Sequence, residues 1–535
     1  MIVGMRHLDL VCVASERDAT LERLRELGVV HLDLGASFGA SVQAAAADYE
    51  NAEKAVRLIL KARGDSKPMA SAISVDEVLA LDAERSSQIT DKDRLEREIK
   101  TYEPYGDFDP ALARKLLDRG IDLRDRLPVK LPEMRLSAMR EKLVSLNASI
   151  EANSRRIASA DEKAILSEYP ALQERMQFEQ ARELLKTRGE IAVVSGWVPE
   201  NAVASLRQAS TDAGWGILLR DPAEGETPPT LINPPKFVRP VKALFEGLGI
   251  APAYNEADVS VPFMGYFSLF FAMLVGDGAY GAIFLAATLA FRKKLPRSWF
   301  VLMTVFSSAT VLWGVLSNTW FGEAIPWLAG LPTARWLAGE GSQPGREYDN
   351  MMFLCFTIGV SHLMLARIWN GICRLNDRSC LSEFGWAGMV LFMYVLTNSI
   401  VGIFGGVPTW CYWMFGASFL TVFIQAKGMD KGMLFLNAMS VLGDIISYVR
   451  LFAVGLASVK VAQNFNAMAI DLGLPLWIKW LPLVLILLVG HGLNLAMAGL
   501  SVLVHAVRLN TLEFSNHKGI SWAGYAFRPF KKTKE

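Results

Sequence analysis

The sequence predicts a mostly α fold in two halves: an N-terminal soluble arm and a C-terminal domain of eight membrane-spanning helices. Three observations carry this. Up to about residue 240 the chain is charged and rich in Ala, Arg and Glu, whereas 262–512 is a succession of apolar runs separated by short polar breaks. Those runs are long enough to cross a bilayer core. Within the arm, apolar residues alternate three and four apart, the seam of paired helices. The formal net charge of +1 on 535 residues therefore averages two different halves. It also argues against a nucleic-acid binder, which concentrates basic charge on one surface.

The arm contains two segments of one pattern. Residues 6–34 and 190–220 each read strand, loop, helix, strand, with a polar break (Ser15 to Asp18; Pro199 to Asn201) before an amphipathic helix. Each is expected to form a small α+β lobe, at about 1–40 and 188–225. Between them Leu136, Met139, Leu143, Leu146, Ile150, Asn153 and Ile157 form the seam of an antiparallel coiled coil, with Asn153 as a polar register device. Its partner is expected at 41–62 plus 86–103, with Pro104, Pro110, Pro128 and Pro132 breaking the middle. No basic n-region and cleavage site open the chain, so the arm, 1–240, is expected in the cytoplasm. A linker follows at 241–258. No GxxxxGK[ST] stretch occurs, so the chain is not expected to hydrolyse ATP itself. Cys12, Cys355, Cys373, Cys380 and Cys411 lack CxxC spacing and read as free thiols. No cofactor or metal site is expected.

The membrane domain, 259–515, has spanning runs at 298–320, 351–370, 385–404, 408–426, 433–465 and 476–511. The run 259–291 reads as one long helix or as two spans folded at Gly276-Asp277-Gly278. Charge favours two. A hairpin returns FRKKLPR (291–297) to the cytoplasm and places CRLNDRS (373–379), KGMDK (427–431) and the tail RPFKKTK (528–534) on the same side. Loop 321–350 and the 405–408 turn then lie outside. One span fewer would invert every later loop against the positive-inside rule. Both termini, including the 516–535 tail, are expected to be cytoplasmic.

The last two spans carry the polar residues. Arg450 sits mid-span, where an arginine costs about 2.5–3.5 kcal/mol on insertion scales and faces a partner or a hydrated path. On the final span His491, Asn494, Ala498, Ser501, His505 and Arg508 step by three and four along one face. On the preceding span Gly443, Ser447, Arg450, Val454, Ala457 and Val461 form a comparable face, with Asp444 beside it and Lys460 as an end-of-span snorkeller. Small and polar residues on helix faces also serve as interhelical glue, and that reading stays open for the Ser and Asn positions.

At these residues the chain resembles the large membrane subunit of V-type and archaeal-type rotary ATPases, subunit a or subunit I. The resemblance rests on TPPTLINPPKFVRPVKALFEGLGIAPAYNEAD (227–258), FFAMLVGDGAYG (270–281), WGVLSNTWFGE (313–323) and IGVSHLMLARIWN (358–370). It is carried furthest by LGDIISYVRLFAVGLASVKVAQNFNAMA (442–469) and GHGLNLAMAGLSVLVHAVRLNTLEF (490–514). It covers roughly 227–530; the arm matches in architecture more than in sequence. The chain is shorter than is usual for the family. Ser458 stands where eukaryotic members have a histidine, and Ala498 where they have a glutamate.

The resemblance implies the static half of a rotary motor. Two long tilted C-terminal helices would face a proteolipid c-ring whose membrane carboxylates pass Arg450 and exchange H+ or Na+ there. Arg508 would assist. Asp444, Ser447, His491, Asn494, Ser501, His505 and Glu513 would be half-channel candidates. The arm would bind peripheral stalk subunits E and G, near a central-stalk rotor adaptor, in a prokaryotic plasma membrane with lipid around it. The chain would be a non-catalytic subunit of the ATPase or ATP synthase. The alternative reading is a secondary transporter with a cytoplasmic coiled-coil regulatory domain. It predicts repeated membrane halves, and no clear repeat is visible. A membrane receptor would not need two arginines in its terminal spans.

Overall fold

The computed structural model describes residues 2–33, 39–63, 73–119, 130–340, 343–472 and 475–532. The expected break at Pro128 lies outside the described residues. The chain divides into two compact units, one of Arg6–Asp221 with Arg528–Glu535, the other of Met1–Met5 with Pro222–Phe527.

In the first unit, β1 (Met5–Val13), α1 (Arg17–Leu27) and β2 (His31–Leu32) open the chain. β3 (Lys186–Arg188), β4 (Ile191–Pro199), α7 (Val203–Ala213) and β5 (Gly216–Arg220) close it. Each helix ends on a left-handed glycine, Gly28 (φ 60) and Gly214 (φ 70), where a Cβ would be strained. The two separate lobes expected from the sequence are instead one sheet of order β2-β4-β1-β5, with β3 also on β4. This interleaving is a split βαβ arrangement. Its physical reason is burial. A two-strand lobe has too little apolar surface to be stable alone, whereas Leu8, Leu10, Leu21 and Leu24 share one core with Val194, Val198 and Leu206.

Between the sheet's halves run α2 (Ala40–Arg63), α3 (Val75–Tyr102), α4 (Pro110–Asp118), α5 (Leu136–Ser159) and α6 (Glu162–Leu184). Ion pairs give their directions. Arg63–Glu162 and Asp48–Arg175 set α2 antiparallel to α6; Glu77–Arg156 and Glu103–Arg140 set α3 antiparallel to α5. Along the expected seam Leu136, Met139, Asn153 and Ile157 are buried, and Asn153 donates to Gln88 Oε1 at 3.3 Å. Pro110 does not break a helix but starts α4, behind an Asp109 cap whose carboxylate accepts from Ala111 N and Leu112 N.

The second unit holds α8 (Val241–Leu248), α9 (Ser260–Val275), α10 (Gly278–Ala290), α11 (Arg297–Ser317) and α12 (Pro332–Leu337). α13 (Asp349–Cys373), α14 (Ser379–Ile400), α15 (Thr409–Gln425), α16 (Asp430–Ile446), α17 (Val449–Ile470), α18 (Leu476–Ser501) and α19 (Ser515–Lys518) follow. Among the described residues five segments are long and apolar enough to cross a membrane: α11, α13, α14, Lys431–Ile470 and Lys479–Lys518. α9 and α10 pass the same test only as a pair, and the chain turns by 118° between them. This differs from the eight expected. At 1.5 Å per residue the 16 and 13 residues of α9 and α10 reach only about 24 and 20 Å, short of a bilayer core of about 30 Å. α15, with 17 residues, is shorter than each of the five.

The α9–α10 bend has a definite cause. Gly276 adopts φ +70. Asp277 then caps α10 by accepting from Ala279 N and Tyr280 N, while its other oxygen accepts from Gly322 N at 2.8 Å. Gly278 and Gly314 let α10 lie directly on α11, since a Cβ on Gly314 would fall 2.2 Å from Gly278 Cα.

Candidate functional site

The site begins with two irregularities in the last two long helical segments. The first is a break at Ser447–Tyr448, where α16 stops and α17 starts. Arg450 N reaches Ser447 O and Leu451 N reaches Tyr448 O, three residues back instead of four, a tightened turn. Tyr448 is fully buried, lies over Gly359 and hydrogen-bonds His362 Nδ1 at 2.9 Å. His362 is itself stacked between Tyr266 and Phe514. The turn that carries Arg450 is thus clamped from behind.

The second irregularity is two π-helical stretches, Val502–Ala506 and Leu509–Phe514, on either side of Val507 and Arg508. Wider turns of this kind are rare and concentrate at functional sites. They bend the expected polar face out of line. Below Asn494 the buried residues run Ala498, Val502, Ala506 and Asn510, while Ser501 and His505 are half-buried and Arg508 is exposed. A face stepped at the ordinary helical period cannot follow that line.

Together the irregularities bring three charges to one place. Arg450 Nη1 lies 3.3 Å and Arg508 Nε 3.5 Å from the same oxygen, Glu513 Oε1. Arg450 Nη2 also donates to Ser447 Oγ at 2.8 Å. The Glu513 side chain is 5% exposed, Arg450 23% and Arg508 53%. Glu513 Oε2 is buried with no partner. Two guanidinium groups on one buried carboxylate leave one positive charge of this group uncompensated, and both arginines remain partly accessible. Such a group can take a second carboxylate from another molecule.

A second cluster lies along the α17–α18 contact. Asn494 Nδ2 donates to Ser458 O (2.8 Å) and Tyr280 OH (3.0 Å), and Ser458 Oγ donates to Asn494 Oδ1 (3.2 Å). His491 Nδ1 bonds Tyr280 OH at 2.8 Å and its Nε2 bonds Asn466 Oδ1 at 3.0 Å. Behind α17 a cavity of about 380 Å³ runs from Ser317 and Glu323, past Lys460 and Gln463, to Leu451. It ends one residue from Arg450. Lys460, read from sequence as a snorkeller, donates to Gln463 Oε1 at 3.1 Å.

A third cluster pairs Asp444 with His517 at 3.0 Å. Of the residues singled out in the sequence, Arg450, Arg508, Ser447 and Glu513 meet; His491 and Asn494 meet through Tyr280; Asp444, Ser501 and His505 join neither group directly. Sequence reading missed Tyr280, Asn466, His517, Arg367 and Glu383. The last two are charges inside apolar helices, the same signal that singled out Arg450. Ser458, noted only as a departure, is the hydrogen-bond partner of Asn494. No group of three or more potential metal ligands occurs among the described residues.

No family model matches the chain. It is 33% identical over 391 residues to the V-type ATP synthase subunit I of Borreliella burgdorferi, covering 67% of this chain and 63% of that protein. It is 29% identical over 635 aligned positions to the V-type ATP synthase subunit I 1 of Treponema pallidum, covering 99% of this chain and 100% of that protein. The A-type ATP synthase subunit I of Methanocaldococcus jannaschii is 25% identical over 450 residues, 75% of this chain and 63% of the relative. The chain thus spans less than two thirds of the Borreliella and Methanocaldococcus proteins and the whole of the Treponema one.

Proposed function

Because the chain belongs to the family of V-type and A-type ATP synthase subunit I proteins, we propose that it is the stator membrane subunit of a rotary ATPase. It is a multi-pass membrane protein, and in this reading it forms the ion half-channels against a proteolipid ring. The observation that carries the reading is the convergence of Arg450 and Arg508 on Glu513, with one positive charge left over. A ring carboxylate arriving at that charge is stabilised in its ionised form and releases its H+ or Na+. The guanidinium stays charged throughout, so it also blocks leakage between the two access paths. The cavity behind α17 supplies the outer path; His491, Asn494, Ser501 and His505 are further lining groups. The chain itself performs no ATP chemistry; hydrolysis or synthesis belongs to the soluble motor it is coupled to.

The arm, with its antiparallel helix pairs as a coiled coil, binds the peripheral stalk subunits E and G and resists torque, close to the rotor adaptor of the central stalk. Affinity purification of the tagged chain is expected to bring down a proteolipid ring and ATPase subunits. Recovery of the chain without either, with transport activity intact, would favour a secondary transporter.

The orientation proposed has both termini in the cytoplasm of a prokaryotic plasma membrane, with the α9–α10 hairpin entering and returning on one side and α15 making the return between α14 and α16. Parity supports it. The α9–α10 tip is level with the far end of α11, since Gly278 N donates to Thr319 O at 2.9 Å. The hairpin therefore goes in and returns, leaving Arg292, Lys293 and Lys294 on the starting side. Gln343→Cys in a cysteine-free background should be labelled by an impermeant maleimide from outside the cell. Labelling only from the cytoplasmic face would invert the topology.

A further inference from the structure

The third polar cluster is not used by this mechanism, although it reaches the helix that leads to Arg450. Asp444 lies six residues before Arg450, with Ser447 midway. His517 Nε2 sits 3.0 Å from Asp444 Oδ2, and its Nδ1 sits 3.1 Å from Nε of Arg367. A guanidinium Nε–H can only donate. Nδ1 must therefore accept, and the neutral ring carries its proton on Nε2, directed at Asp444. Arg367 passes Nη1 to Glu383 Oε2 at 3.2 Å, and Arg374 Nη1 meets the other oxygen at 3.2 Å. Arg367 also lies over the Trp386 ring at 5.1 Å. Every polar atom on the path from Glu383 to Asp444 is thus oriented one way.

The burial along this path is uneven. The His517 side chain is 3% exposed, Glu383 11% and Arg367 18%, while Asp444 is 24% exposed. Ion pairs at that depth are a poor way to seat a helix end, because apolar packing does so without desolvating charge. What they supply is orientation of Asp444, the most exposed group on the path from Glu383 through Arg367 and His517. The path is not a proton wire, since a guanidinium does not give up its proton. It ends at Asp444.

We propose that His517 is a positioning residue that aims Asp444 as an ion-accepting carboxylate on the cytoplasmic side of Arg450, and that Arg367 and Glu383 fix His517 in the required tautomer. This rests on the reading of the chain as an ion-translocating subunit. It adds a positioning triad of Arg367 on α13, Glu383 on α14 and His517 at the C-terminal end of the Lys479–Lys518 segment.

The test uses the assembled holocomplex in sealed vesicles, with ATP-driven ion uptake measured beside subunit content. His517→Leu and Asp444→Asn should each lower uptake about tenfold, the equivalent of about 1.4 kcal/mol. The double variant should be no worse than either single one, as expected for residues acting as a unit. His517→Gln should stay within about twofold of the native rate, because an amide both accepts from Arg367 and donates to Asp444. His517→Phe, which keeps a ring without polar atoms, replaces the leucine variant if that one fails to assemble. Losses that multiply in the double variant, or a glutamine variant as impaired as the apolar one, would overturn the proposal. Arg450→Ala run in parallel separates the two levels. If it pumps, the ion-translocation reading fails; if it is inactive while His517→Leu or His517→Phe pumps normally, only the positioning role fails.

Discussion

Arg450→Ala is expected to abolish ATP-driven ion pumping while leaving the complex fully assembled. The expectation follows from charge count. Arg450, Arg508 and Glu513 together carry one net positive charge. Removing Arg450 brings the group to zero, and nothing remains to draw an arriving carboxylate into its ionised form. One well-placed charge of this kind is worth about 3–4 kcal/mol in a water-poor site, so pumping should fall by more than about a hundredfold. Arg450→Lys should fail nearly as completely, because a desolvated ammonium can lose its proton whereas a guanidinium cannot. It also cannot span Glu513 and Ser447 at once, as Nη1 and Nη2 of Arg450 do. Arg508→Ala should be milder, since that side chain is 53% exposed and its distance to Glu513 is the longer of the two. Uptake in reconstituted vesicles, read beside subunit content, decides it. Native pumping by an assembled Arg450→Ala complex would remove the mechanism; loss of assembly would mark Arg450 as structural.

The change from one compact unit to the other near residue 221 accompanies a shift from polar to apolar composition, which reports solvent directly. Of the expected Leu136–Ile157 seam, the two ends are buried at Leu136, Met139, Asn153 and Ile157, with Asn153 bonded to Gln88, while Leu143, Leu146 and Ile150 in the middle are half-buried. What spacing does not encode is pairing at long range. The two strand–helix–strand repeats looked like two lobes because each is locally complete; only the order β2-β4-β1-β5 shows that they need each other's surface. In the membrane domain the arginines were conspicuous as charges in apolar sequence. Their common partner Glu513 was less so, because a regular helix does not bring residues 450, 508 and 513 together without the break at Ser447 and the π-helical turns around Arg508. His517 lies past the last apolar run, and nothing in its neighbours announces that it is 3% exposed.

Glu513→Gln should have the second-largest effect, and of a different kind. The native carboxylate attracts Arg450 and Arg508 with about 4 kcal/mol per pair at an effective dielectric near 20. That attraction competes with any carboxylate brought by a partner, so the arriving group is held strongly enough to ionise and weakly enough to leave. Glutamine keeps the shape and removes the charge. The arginines then present two positive charges instead of one, and the partner carboxylate dwells longer. Coupled ATP hydrolysis and ion uptake should therefore slow together, by about ten- to a hundredfold, with their ratio preserved. Arg450→Ala, by contrast, should lose uptake selectively. Glu513→Asp, which retains charge but shortens the reach to Oε1, should fall between native and glutamine. Rates of hydrolysis and uptake measured on the same vesicles distinguish the cases. Unchanged turnover in Glu513→Gln would show that the carboxylate does not set the strength of the arginine pair, and rapid hydrolysis without uptake would show that it transfers the ion itself.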